Sequence, residues 1–329
     1  MNKYLVAGCL IFCLNACSNT NSDNTKSEQT TATPTLVRPS FDADSAYAYI
    51  AKQVSFGPRV PSTIAQKNTA EWMRQKLRQF CDSVYVQDVK VKAGNGNMLP
   101  CINLIGAINP HATRRILLLA HWDSRPWADQ DTKDTDKPID GADDGASGVG
   151  VLLELARQIK SKPLPKDLGV DILFADVEDY GKTEWGDNSY ALGTQYWAHH
   201  PHVPNYKAEF GILLDMVGGR NARFPMEGQS ARYASEAQQK VWQAANAAGY
   251  SSFFPYTRGS DITDDHVFVN EILHIPTIDI INLPSNSRTS FGDHWHTHSD
   301  NMEIIDKQTL KAVGETLLQV IYQSANPAA

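Results

Sequence analysis

The chain has little with which to hold a nucleic acid. No run of five or more basic residues occurs in its 329 residues, and the formal charge is −7. A nucleic-acid binder carries a clustered basic face, so that partner class is excluded. Cysteine is scarce as well. Of five cysteines, Cys9, Cys13 and Cys17 fall in the first 17 residues. The remaining pair, Cys81 and Cys101, cannot staple a small disulfide scaffold; one bridge or two buried thiols both stay open. After Phe41 there is no repeat, low-complexity block or second linker, which leaves one large domain as the economical reading.

The N-terminus is set apart from fold reasoning. Lys3 gives a positive start, and residues 4–14 form an apolar stretch too short to span a bilayer as a mature helix. It runs into Leu14-Asn15-Ala16-Cys17, which resembles a bacterial lipoprotein processing site. Residues 1–16 are therefore expected to be a signal peptide, with Cys17 lipidated as the first mature residue. Residues 18–36 are Ser-, Thr-, Asn- and Asp-rich with almost nothing apolar, so 17–40 is expected to be a flexible tether and 41–329 the working domain. Ser18 after the anchor, in place of Asp, points to the outer membrane of the cell envelope.

The domain itself reads as α/β. Helical periodicity covers 44–54, 64–80, 146–160, 190–199, 231–248 and 306–323; strand-like runs cover 84–92, 102–107, 115–121, 169–175, 210–216 and 275–282. The later strands are continuous apolar stretches separated by helices, which is the pattern of a mostly parallel twisted sheet covered on both faces. The first two fit an antiparallel edge.

Several of these apolar runs end in acids or histidine. Residues 116–123 end in His121-Trp122-Asp123, 170–179 in Glu178-Asp179, and 210–215 in Asp215; Gly141-Ala142-Asp143-Asp144 opens a helix, and His294-Trp295-His296 lies near the end. Ligands of open α/β sheets gather outside the carboxyl ends of the strands, where all of these fall. Catalytic zinc takes about three His or carboxylate ligands and keeps a position open; Asp144, Asp179 and His296 are assigned that role. Asp143 could instead cap the helix, His298 is expected to be packed, and the His199-His200-Pro201-His202 cluster and the Asp-rich loop 129–140 read as solvated.

Taken in order, His121-Trp122-Asp123, Gly141-Ala142-Asp143-Asp144, Glu178-Asp179, Leu214-Asp215, Asp264-Asp265-His266 and Trp295-His296-Thr297 resemble the zinc-dependent glutaminyl cyclases of the animal type, a family built on the zinc aminopeptidase fold. The resemblance spans roughly Phe41 to Gln319. It implies one zinc per chain on Asp144, Asp179 and His296, where the animal enzymes usually have Glu at the position of Asp179. It implies cyclisation of N-terminal glutamine on peptides and exported proteins to pyroglutamate, with zinc polarising the γ-carbonyl. Glu178 matches the proton shuttle, Asp215 and Asp264 the supporting acids, and Trp185, Phe291 and Trp295 the walls of a glutamine pocket. Trp185 is displaced by one residue from the family spacing. The enzyme is expected to be a monomer. Two other classes compete: a two-zinc aminopeptidase with His121 and Asp215 on the second metal, and a non-catalytic binding lipoprotein. The aromatic set and the doubled acid before His266 favour the cyclase.

Overall fold

A computed structural model describes residues 37–326. The expected signal peptide, Cys17 and most of the expected tether lie outside those residues. Six strands, β1 (Ser83–Lys92), β2 (Met98–Ile108), β3 (Arg114–His121), β4 (Leu168–Ala175), β5 (Phe210–Asp215) and β6 (Thr277–Ile281), form one sheet in the order β1-β2-β4-β3-β5-β6. β1 and β2 pair antiparallel, and β2 joins β4 antiparallel. β4, β3, β5 and β6 are mutually parallel. The mostly parallel sheet with an antiparallel edge is thus the architecture present. Every residue of β4, β5 and β6 is buried, as strands covered on both faces must be.

Eight α-helices accompany the sheet among the described residues: α1 (Ala43–Val54), α2 (Ile64–Phe80), α3 (Ala146–Ser161), α4 (Leu192–His199), α5 (Gly228–Tyr233), α6 (Ser235–Ala247), α7 (Asp265–Phe268) and α8 (Lys307–Ala325). The expected helix over 231–248 is broken, because Ala234 leaves helical backbone between α5 and α6. α7 and the π-helical turn Val269–Leu273 that follows it have no counterpart among the expected helices. They are too short to display a period.

The chain leaves β3 through α3 to lay down β4 on one side. It then crosses β3 through α4 to lay down β5 on the other. Strand order reverses at β3, and that reversal opens a crevice outside the carboxyl ends. α3 runs almost wholly buried along the sheet. It sits that close because Gly148 has no side chain: a Cβ there would lie 2.5 Å from Leu214 O and 2.8 Å from Ala120 Cβ. The close seat sets the 141–145 loop directly over the strand ends.

One expectation changes here, and one open question closes. Arg38 bonds Gln319 Oε1 at 2.7 Å and pairs with Glu315, and Phe41 N donates to Glu315 Oε1 at 2.9 Å. Residues 38–40, expected to belong to the tether, are thus fastened to α8. Cys81 and Cys101 are both buried and free. Cys81 Sγ packs where a Cβ on Gly106 would be, five positions along β2 from Cys101. That separation is about 16 Å at the rise of an extended strand, far beyond disulfide reach.

Candidate metal centre and its cavity

Each acidic or histidine side chain of the crevice arrives on its own strand end or loop. His121 closes β3, Asp215 closes β5, and Glu178 and Asp179 follow β4. Asp123 receives hydrogen bonds from Glu178 N at 3.0 Å and Asp179 N at 3.1 Å, so the turn after β4 is pinned to the segment after β3. Asp300 does the same for the 141–145 loop, accepting from Asp143 N at 2.7 Å and Asp144 N at 3.1 Å. Gly145, at φ 98°, lets that loop turn; a Cβ there would meet Asp123 O at 2.4 Å. The backbone is strained where it delivers these groups. Val177 (φ 56°) precedes Glu178, Met216 (φ 47°) follows Asp215, and His296 itself has φ 56°. Left-handed backbone at non-glycine residues costs on the order of 1–3 kcal/mol each and persists only where the surroundings impose it.

Asp144, Asp179 and His296 are buried, and each offers a donor atom within 4.8 Å of the other two. His296 Nε2 stands 3.3 Å from Asp179 Oδ1 and 3.6 Å from Asp144 Oδ2. Asp179 Oδ2 is buried and has no hydrogen-bond partner among the described residues. A desolvated carboxylate oxygen left open is costly without a cation to meet it. Two carboxylates and one imidazole from distant parts of the chain suit a catalytic divalent cation with an open position. The residues present therefore fit the group. His121, Asp144 and Asp215 form a second set with the same spacing, sharing Asp144. There His121 Nε2 lies 3.1 Å from Asp144 Oδ1 and 3.2 Å from Asp215 Oδ1.

A cavity of about 290 Å³ opens beside these groups. Glu178, Asp215, Asp264, Phe291 and Trp295 line it together with Asp144, Asp179 and His296. Ile262, Ile281 and Met216 add apolar wall. Phe291 and Trp295 pack with ring centroids 4.5 Å apart, and Trp295 stacks on His296 at 3.8 Å. The space lies at the small end of ligand pockets, suited to one short side chain. Trp185 is elsewhere. It packs on Gly94 and stands edge-on to Trp127, and the β4–α4 connection sends Thr183, Asp187 and Tyr190 into the cavity instead.

Burial lifts the Glu178 carboxyl well above its ordinary value; His121 opposes the rise and Asp179 and Asp264 add to it. Asp215 is raised to about 6 by burial, with the His121 bond lowering it and Asp144 raising it. Asp264 is raised to about 7 by burial and by Asp215. A set of acids with staggered proton affinities near neutrality can pass a proton between two bonds of one reactant.

Sequence reasoning missed several supporting groups. Asp129, in the loop expected to be solvated, reaches His296 Nδ1 at 3.1 Å. Arg125 bridges Asp129 and Asp179, a role nothing in the local sequence announces. His298, expected to be packed, is exposed and bonds Asp131 at 2.9 Å. Asp143 caps nothing with its side chain. It receives Gly218 N at 2.7 Å and faces His294 Nε2 at 2.8 Å. His202 of the discounted cluster is buried beside Asp171, Trp197 and Tyr206, remote from the crevice.

Residues 103–321 match the model of peptidase family M28. A solved glutaminyl cyclase from Tannerella forsythia is 53% identical, covering 86% of this chain and 99% of that one at TM-score 0.83. A solved Zn-dependent exopeptidase from Parabacteroides distasonis is 51% identical, covering 87% and 99% at TM-score 0.85. A glutaminyl-peptide cyclotransferase from Gloydius blomhoffii is 28% identical over 253 residues, 68% of this chain. The match spans 66% of that relative's own length.

Proposed function

The chain belongs to peptidase family M28, and from that premise we propose that it is a glutaminyl-peptide cyclotransferase, closing the N-terminal glutamine of peptides and exported proteins to pyroglutamate with release of ammonia. The observation that carries the reading is the union of a small aromatic-walled cavity with the Glu178 carboxyl and the Asp215–Asp264 acids at its floor. A glutamine side chain fits such a space.

Asp144, Asp179 and His296 would hold one zinc, which when bound supplies a Lewis acid for the γ-carbonyl. Phe291, Trp295 and Ile281 enclose the side chain and fold its amide carbon toward its own α-amine. Ring closure is intramolecular, so orientation and proton handling are most of the work. Glu178, its side chain 14% exposed at the cavity, accepts a proton as the amine nitrogen bonds the side-chain amide carbon. It returns that proton to the side-chain amide nitrogen as that carbon–nitrogen bond breaks and ammonia leaves. Asp215 and Asp264 hold the amine and share the proton.

The second set of donors, His121, Asp144 and Asp215, favours a rival reading as a two-metal aminopeptidase. A glutamine-initiated dipeptide amide separates them. The cyclase loses one ammonia per peptide with one zinc per chain, and Glu178→Gln slows this by a factor on the order of 10²–10⁴ while zinc still binds. Release of the intact first residue with two zinc ions per chain would establish the aminopeptidase instead.

The envelope address is part of the proposal. The enzyme acts as a monomer held by lipidated Cys17, outside the described residues, on the outer membrane. Cys17→Ser should move it from the membrane to the soluble envelope fraction; unchanged membrane association would sink the anchor.

A further inference from the structure

Arg125 is almost fully buried, and one of its guanidinium nitrogens makes three bonds to a single stretch of chain. Nη1 donates to Asp179 Oδ1 at 2.9 Å, to Asp179 O at 3.0 Å and to Gly181 O at 2.9 Å. The other side of the fork grips Asp129, Nη2 to Oδ2 at 2.6 Å and Nε to Oδ1 at 3.2 Å. Asp129 Oδ1 in turn lies 3.1 Å from His296 Nδ1. One side chain thus ties the turn after β4 to the loop carrying His296, and so links two of the three metal-ligating residues that come from opposite ends of the domain.

The bonding has a directional consequence. With Oδ1 of Asp179 held by the guanidinium, Oδ2 is the oxygen left open, and it has no partner among the described residues. Asp129 sets a carboxylate 3.1 Å from His296 Nδ1, outside hydrogen-bond geometry, while Nε2 of the ring faces Asp144 and Asp179. A planar fork can satisfy both carboxylates at once; an ammonium cannot. The grip on two backbone carbonyls also holds the turn close, which the short arm of Asp179 needs.

We propose that Arg125 is a positioning residue that sets the cation affinity of this centre, fixing Asp179 as a one-oxygen ligand and holding the Asp129 carboxylate beside His296. The proposal rests on Asp144, Asp179 and His296 being the metal ligands.

The test is zinc affinity by competition with a chromophoric chelator, on full-length protein and two variants. Arg125→Lys keeps the charge and loses the fork, and its zinc Kd should weaken by roughly ten- to a hundredfold. Asp129→Asn removes the charge at His296 Nδ1 and should weaken Kd within the same range. Melting temperatures of the metal-free proteins report folding separately. Should Arg125→Lys fail to fold, Asp129→Asn decides. Melting points that fall while Kd stays within about twofold of the unaltered protein would make Arg125 merely structural and overturn the proposal. An unaltered protein that binds no zinc would remove the metal reading itself, and this inference with it.

Discussion

The proton shuttle proposed at Glu178 must take up and release one proton within a turnover, and its neighbours decide the pH at which it can. Asp264 is one of the acids whose charge holds the Glu178 proton more tightly. Replacing it with Asn removes that charge, so the proton affinity of Glu178 falls. The acid limb of the kcat/KM profile should then move to lower pH, by up to roughly two pH units for fully charged groups several Å apart at an effective dielectric near 20. Turnover drops as well, since Asp264 is held to share the proton. A pH–rate series on Asp264→Asn reads both effects, and an acid limb that stays put or moves up would break the coupling. The strained backbone at Val177, Met216 and His296 belongs to the same scale, since the strain coincides with the functional side chains.

Among elements, the short helix α5 shows how a structural contact reaches the cavity. Glu227 caps it, accepting from Gln229 N at 2.7 Å and Ser230 N at 2.6 Å, and also holds Ile262 N of the cavity wall at 2.8 Å. Burial raises its carboxyl, but bonding to His266 and Ser230 outweighs burial and holds it at about 2, below the ordinary 4.5. A depressed carboxyl contributes stability that is full above its unfolded value and is lost as pH falls through the folded one. Glu227→Gln should therefore cost roughly 3 kcal/mol near neutral pH, a loss that shrinks between about pH 4.5 and 2. Denaturant titrations of both proteins across that window check it. A deficit independent of pH would assign the effect to packing.

For the whole molecule, the buried acids of the crevice repel one another until a cation joins them. Zinc at about a thousandfold over its Kd should stabilise the domain by roughly 4 kcal/mol, or on the order of 10 °C in melting temperature. Calorimetry before and after chelation measures this; equal melting points would leave the centre without a metal. Much of this whole was legible in the residues. The apolar runs that became β3 to β6 show because fully buried strands cannot hide their composition. Asp144, Asp179, His296, Glu178, Asp215, Asp264, Phe291 and Trp295 meet at one cavity because strand ends converge at a reversal of strand order. Arg125, Asp129 and Asp300 left no such trace, since a residue that acts by crossing between loops has no period and no fixed offset from its partner.

The sequence by itself determined the α/β class, the parallel sheet and the list of groups able to carry chemistry, because burial and side-chain type are written residue by residue. Tertiary structure decided which of those groups face each other. It set Trp185 against Gly94, kept Cys81 at the end of α2 apart from Cys101 on β2, and brought Asp129 within 3.1 Å of His296. Such distances depend on how strands pair and how closely α3 seats on the sheet, and a chain read in one dimension does not contain them.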